Sequence, residues 1–121
     1  MKKTILIVDD SESIRKLVQF NLNNAGYRVL IANNGMDALN FFKEESIHLL
    51  LTDLHMPVMN GMELIKEVRK IDQYKHIPIL FLTTETQIAL KKEAKNAGAT
   101  GWIVKPFVFD KLLATIHKVL R

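Results

Sequence analysis

Apolar residues along this chain follow two alternating rhythms. Runs of strand length at Thr4 to Val8, Tyr27 to Ala32, Ile47 to Thr52, Ile79 to Thr83 and Gly101 to Val104 are mostly apolar and have the side-chain types of strands. Between them apolar residues recur every three or four positions, which predicts helices. The first carries Ile14, Leu17, Val18 and Leu22, with Ser11 or Ser13 as its cap and Gly26 as its stop. The second, near Met36 to Glu45, carries Ala38, Phe41 and Phe42 on one side, and the third, near Gly61 to Ile71, carries Leu64, Ile65, Val68 and Ile71. A weakly apolar fourth runs from about Gln87 to Ala97 and ends at Gly98; the last spans about Val108 to Leu120 with Leu112, Leu113, Ile116 and Val119 turned inward.

Strands that alternate with helices need crossover connections, so the expected architecture is an α/β parallel sheet with helices on both faces. The runs "ILIV", "IHLLL" and "ILFL" are nearly continuously apolar, as expected of strands covered on both faces, whereas the second run includes Arg28 and the fifth is short. Runs one, three and four are therefore interior and two and five are edges. That agrees with the order 2-1-3-4-5, whose reversal leaves a crevice at the carboxyl ends of strands one and three.

At 121 residues the chain is expected to form one domain, 1–121, and it has no linker, repeat or low-complexity segment. The opening lysines are followed by only a short apolar run before two aspartates, so no secretory signal is expected, and no stretch reaches membrane-spanning length. With no cysteine, thiolate metal sites and disulfides are excluded and a cytoplasmic home is expected. The histidines, His48, His55, His76 and His117, lack metal-ligand spacing. A net charge of +4 without a recognition motif does not suggest a nucleic-acid surface; Lys91, Lys92 and Lys95 form a solvated helix face suited to an acidic partner.

The chemistry gathers at strand ends. Asp9 and Asp10 follow the first strand, Asp53 the third, Thr83 and Thr84 end the fourth, and Lys105 ends the fifth. Three carboxylates about 5 Å apart would repel by roughly 3 kcal/mol per pair at an effective dielectric near 20, so positive charge must offset them. Lys105 supplies one such charge. A divalent cation supplies the rest, and an all-oxygen set favours Mg²⁺ or Mn²⁺. Taken singly, an Asp-Asp pair, a proline turn or a lysine before a proline is as often a loop feature as a site; their convergence on one edge carries the reading.

The segments "ILIVDD", "LLLTDLHMPVMNGMELI", "PILFLTT" and "GWIVKPF" together resemble a response-regulator receiver domain of the CheY-like single-domain type, and the resemblance covers the whole chain. It implies a flavodoxin-like (βα)5 doubly wound parallel five-stranded sheet in the order 2-1-3-4-5 and a phosphorylation switch of a two-component system, possible roles including chemotaxis. Asp53 would be the phosphoacceptor, taking the group from a sensor histidine kinase, a histidine phosphotransfer protein or a small phosphodonor. Asp10 and Asp53 would hold Mg²⁺ through side chains and His55 through its main-chain carbonyl, with Asp9 acting mainly through water. Lys105 would contact the phosphoryl oxygens, followed by a cis bond to Pro106. Thr83 and Trp102 would be the switch positions, altering the surface of the fourth helix, fifth strand and fifth helix for a downstream protein.

Trp102 stands where tyrosine or phenylalanine is more usual in that family, which puts an inward rotation of this side chain in doubt. His55, Thr84 and Glu85 match positions that tune phosphoryl lifetime, and His55 carries the expectation of a decay rate that varies near neutral pH. The sequence ends at Arg121 with no output domain, so control is expected to run through protein contacts, by a monomer or weak dimer that touches neither nucleic acid nor membrane. A phosphatase with an aspartyl-phosphate intermediate would want a D-x-D nucleophile after the first strand; a flavin carrier would want a Thr/Ser/Gly-rich loop where "DDSES" stands. A non-phosphorylated receiver acting as a passive module is disfavoured by the intact Asp53, Thr83 and Lys105.

Overall fold

The computed structural model describes residues 2–120, so that Met1 and Arg121, the expected domain bounds, lie outside the described residues. Five parallel strands pair in the order β2-β1-β3-β4-β5, where β1 is Thr4–Val8, β2 Arg28–Ala32, β3 Leu49–Thr52, β4 Ile79–Thr83 and β5 Gly101–Val104. The helices α1 (Glu12–Asn24), α2 (Gly35–Glu44), α3 (Gly61–Arg69), α4 (Ile88–Ala97) and α5 (Phe109–Val119) supply the crossovers, with one 3-10 turn at Asp72–Tyr74. Every residue of β1, β3 and β4 is buried, while β2 and β5 are only partly covered, as expected of edges.

The period-two alternation of the strands divides the core into two layers. Leu6, Val8, Leu50, Ile79 and Phe81 pack with Ala38 and Phe42 of α2, Leu64, Ile65 and Val68 of α3, and Ala94 of α4. Ile5, Ile7, Leu49, Leu51, Leu80 and Leu82 face the other way, onto Val18 and Leu22 of α1 and Leu112 and Ile116 of α5.

Two strands start later than the apolar runs suggest, and the backbone shows why. The Tyr27 N–H is spent on the Leu22 carbonyl at the close of α1, so pairing with β1 begins at Arg28. The Ile47 N–H donates to the Tyr74 hydroxyl and the His48 ring accepts the Thr4 N–H, leaving β3 to begin at Leu49. Of the two candidate caps, Ser11 is the one used, accepting the Ile14 N–H at 3.3 Å. Gly26, with φ 99°, follows α1, and Gly98, with φ 112°, closes α4 in the left-handed conformation that glycine alone adopts cheaply. Leu17 does not join the buried face of α1: it is 54% exposed.

Register then sets the site. Val8 pairs with Thr52, so β1 and β3 end level and their next residues, Asp9 and Asp53, emerge side by side. Thr83 pairs with Val104, which brings Lys105 to the same edge.

Candidate functional site

The main chain holds Asp53 before its side chain does anything. Its N–H donates to the Val8 carbonyl at 2.9 Å and its own carbonyl accepts the Thr52 hydroxyl at 2.8 Å. The backbone of α3 closes in from behind: a Cβ on Gly61 would lie 2.2 Å from the Asp53 carbonyl oxygen and 2.7 Å from the Phe81 ring, and the Gly61 N–H donates to Leu54. Gly61 is needed there for close approach. Between them the β3–α3 loop passes through Val58 at φ 70°, a left-handed position for a β-branched residue whose side chain is exposed. The start of α3 is fixed by a reciprocal cap between Asn60 and Glu63.

Asp9, Asp10 and Asp53 each bring a carboxylate oxygen within 4.8 Å of the others. They differ in surroundings. Asp9 is buried, with one oxygen accepting the Ser11 N–H at 2.9 Å and the other facing the Lys105 ammonium at 2.6 Å; Asp10 is exposed. Asp53 accepts the Leu54 N–H on Oδ1 and the same ammonium, at 3.1 Å, on Oδ2. The Lys105 side chain is only 12% exposed, so a single cation compensates two largely buried acids.

Burial pushes the Asp9 carboxyl above its ordinary value, against the pull of Lys105 and the Ser11 amide. Burial alone would lower the Lys105 ammonium, but the hydrogen bond and charge of Asp9, joined by Asp53, outweigh it and leave that pKa raised. The ammonium is therefore fixed as a charge at the site. The three clustered carboxylates form an all-oxygen donor set that fits a hard, oxygen-seeking divalent ion.

The other expected residues divide between interior and rim. Thr83 is fully buried; its hydroxyl accepts the Glu85 N–H at 3.2 Å, and its carbonyl accepts the Lys105 N–H at 2.8 Å. Thr84 is exposed, beside Lys105 in a groove against α1. His55 points to solvent, yet its Nε2 is 2.8 Å from Glu85 Oε1. The hydrogen bond from His55, then the Gln87 amide, holds the Glu85 carboxyl below its ordinary value. Trp102 stacks at 5.2 Å, tilted, on Phe81, and its indole N–H donates to the Glu85 carbonyl at 3.0 Å. The Lys105–Pro106 bond is cis.

Three contributors are not singled out from sequence for this role. Gly61 is placed there only at the start of the third helix, though a glycine eight residues after the acid is the available signal. Arg15 donates to the Asp9 carbonyl at 2.7 Å, one turn into α1, and nothing in its spacing marks it. The Glu85 carbonyl that holds Trp102 belongs to the main chain and leaves no trace in a side-chain pattern.

Comparison with known proteins agrees with this arrangement. The family model described as "Response regulator receiver domain" matches residues 5–117. The chain is 39% identical over 118 residues to "Chemotaxis protein CheY homolog" of Campylobacter jejuni, covering 96% of this chain and 91% of that protein. It is also 38% identical over 116 residues to "Transcriptional regulatory protein ZraR" of Klebsiella oxytoca, of which it spans only 26% while 96% of this chain is covered. Among solved structures, chemotaxis response regulator CheY4 of Vibrio cholerae superposes with a TM-score of 0.94 at 47% identity, covering 99% of this chain and 100% of that one.

Proposed function

This chain belongs to the response regulator receiver domain family, whose general function is a phosphorylation switch in two-component signalling, and on that premise we propose that Asp53 is its phosphoacceptor. The observation that carries the reading is the shared ammonium: Lys105 lies within hydrogen-bonding distance of both Asp9 and Asp53, at the edge where Thr83 also ends its strand.

In the proposed reaction a carboxylate oxygen of Asp53 attacks the phosphorus of a phosphohistidine on a sensor kinase or phosphotransfer protein. The P–N bond breaks and the imidazole leaves with a proton, so the product is an acyl phosphate on Asp53. Such a transfer asks the protein mainly for positioning and for charge stabilisation on the equatorial oxygens. Lys105 would turn its ammonium from the paired carboxylates to those oxygens, and the Thr83 hydroxyl would donate to one of them. Asp10, Asp53 and the His55 carbonyl would hold Mg²⁺, or Mn²⁺, with Asp9 reaching it through water, and the bound ion would supply the remaining charge neutralisation.

The output would run through Thr83 and Trp102 to the α4-β5-α5 surface, where a downstream protein docks. His55, Thr84 and Glu85 stand on the rim and would set how long the acyl phosphate survives. Residues 1–121 are read as one receiver domain, acting in the cytoplasm beside its kinase. The names of its relatives suggest chemotaxis as one pathway. No helix among the described residues is long and apolar enough to cross a membrane.

Incubation with a small phosphodonor and Mg²⁺ tests this. An acid-stable, alkali-labile phosphoprotein should form with the wild-type chain and not with Asp53→Asn or after chelation. Equal labelling of Asp53→Asn would overturn the assignment.

A further inference from the structure

Glu85 spends each of its polar groups on a different neighbour. Its N–H donates to the Thr83 hydroxyl and its carbonyl accepts the Trp102 indole N–H, at 3.2 and 3.0 Å. One carboxylate oxygen faces His55 Nε2 at 2.8 Å; the other accepts the N–H groups of Thr86 and Gln87 at 3.1 and 3.2 Å. A single residue thus joins the end of β4, the β3–α3 loop, the entry to α4 and the side chain of β5.

Helix α4 has little else to fix its first turn. Gln87 makes no side-chain cap, Ile88 is exposed, and Ala94 is the only buried residue of the helix. The far end is different: Arg69 grips the Gly98 carbonyl through Nε and Nη2 at 3.2 and 2.6 Å. The helix is therefore pinned at its carboxyl end and steered at its amino end by the Glu85 carboxylate, whose negative charge also suits a helix N-terminus. What aims that carboxylate from outside its own loop is His55.

We propose that His55 is a positioning residue that acts at a distance: by holding Glu85 it sets the orientation of the Trp102 indole and the first turn of α4. This goes beyond a role in phosphoryl lifetime, because it links the rim of the acidic cluster to the α4–β5 face already in the unmodified protein. One extension rests on the reading of Asp53 as phosphoacceptor. The Thr83 hydroxyl accepts the Glu85 N–H with a lone pair, so its own hydrogen remains available to a phosphoryl oxygen. Thr83 can then move toward the phosphoryl group without releasing Glu85, and Trp102 follows through the Glu85 carbonyl.

Trp102 is the only tryptophan, so its fluorescence reports on this node without a label. Measurements on metal-free, unphosphorylated protein keep the test independent of the chemistry. His55→Ala should raise acrylamide quenching of Trp102 and speed hydrogen exchange at the Thr86 and Gln87 amides by roughly fivefold, the effect of losing one modest hydrogen bond. His55→Gln, whose amide can replace Nε2 as donor, should restore both. In a double-substitution cycle, His55→Ala should add nothing once Glu85→Ala is present.

Unchanged quenching and exchange in His55→Ala, no rescue by His55→Gln, or additive effects in the cycle would each overturn the proposal. Phosphoryl uptake by the wild-type chain and by Asp53→Asn is followed separately by mass. Absence of uptake would count against Asp53 as acceptor, while the fluorescence and exchange results would still decide the role of His55.

Discussion

Lys105 and Asp9, 96 positions apart in sequence, are joined by a 2.6 Å ion pair in which the carboxylate is almost wholly buried. The ammonium also reaches Asp53, at 3.1 Å, so its removal leaves two crowded acids with no compensating charge. Lys105→Met keeps much of the apolar stem and deletes only the cation. In metal-free buffer it should cost about 2 kcal/mol in urea denaturation, somewhat below the loss from breaking a fully enclosed pair because Asp9 can take up a proton. Millimolar Mg²⁺ should recover part of this loss in the variant. A midpoint equal to that of the wild type would mean that Lys105 is not the charge that balances the cluster.

Gly61 gives a prediction about shape in place of charge. The added Cβ of Gly61→Ala would meet the Asp53 carbonyl and the Phe81 ring, and a carbonyl fixed by the Thr52 hydroxyl has little room to retreat. Overpacking of this kind should cost about 2–3 kcal/mol and displace the Asp53 backbone, lowering phosphoryl uptake even in protein that remains folded. Normal uptake with normal stability would show that the close approach is dispensable.

Val58 is a site where stability can be gained. Its φ of 70° burdens a β-branched residue, and its side chain is 78% exposed and contributes little packing. Val58→Gly should stabilise the protein by about 0.5–1 kcal/mol, the relief of strain exceeding the added freedom of the unfolded chain. A lower denaturation midpoint would contradict the strain.

His48 predicts a pH dependence remote from the cluster. Its Nδ1 accepts the Thr4 N–H at 2.9 Å, a bond the protonated ring cannot accept, and burial first, then Lys3, lowers its pKa from the ordinary 6.5. Between the folded and unfolded pKa values the unfolded chain binds more protons. The contribution is therefore complete above about pH 6.5 and declines as pH falls toward the folded value. His48→Asn, which offers an oxygen to the same amide, should flatten that part of the stability profile. Parallel profiles for the two proteins would remove His48 as the cause.

The interior of this fold was readable because burial on both faces leaves little choice of residue: β1, β3 and β4 are nearly continuous apolar runs, and the contrast with Arg28 on β2 marks interior strands from edges, in agreement with the observed order. Asp9 and Asp53 were readable because each directly follows a strand, where register fixes its place, and Asp10 because it comes next in the chain. Leu17 was not, because helical period marks an apolar stripe without saying how wide the covered part is, and this residue falls outside it. The bonds of Arg15 to the Asp9 carbonyl and of Trp102 to the Glu85 carbonyl end on main-chain atoms, which carry no residue signature. The division of Lys105 between two acids depends on a lysine rotamer and is settled only in three dimensions.

The central claim is that Asp53, and neither of its acidic neighbours, forms the acyl phosphate. Borohydride reduction of the phosphorylated protein converts the modified aspartate to homoserine, and peptide mass mapping then locates it. The account predicts homoserine at position 53 with Asp9 and Asp10 intact; homoserine at position 9 or 10, or at none of the three after confirmed uptake, would contradict it.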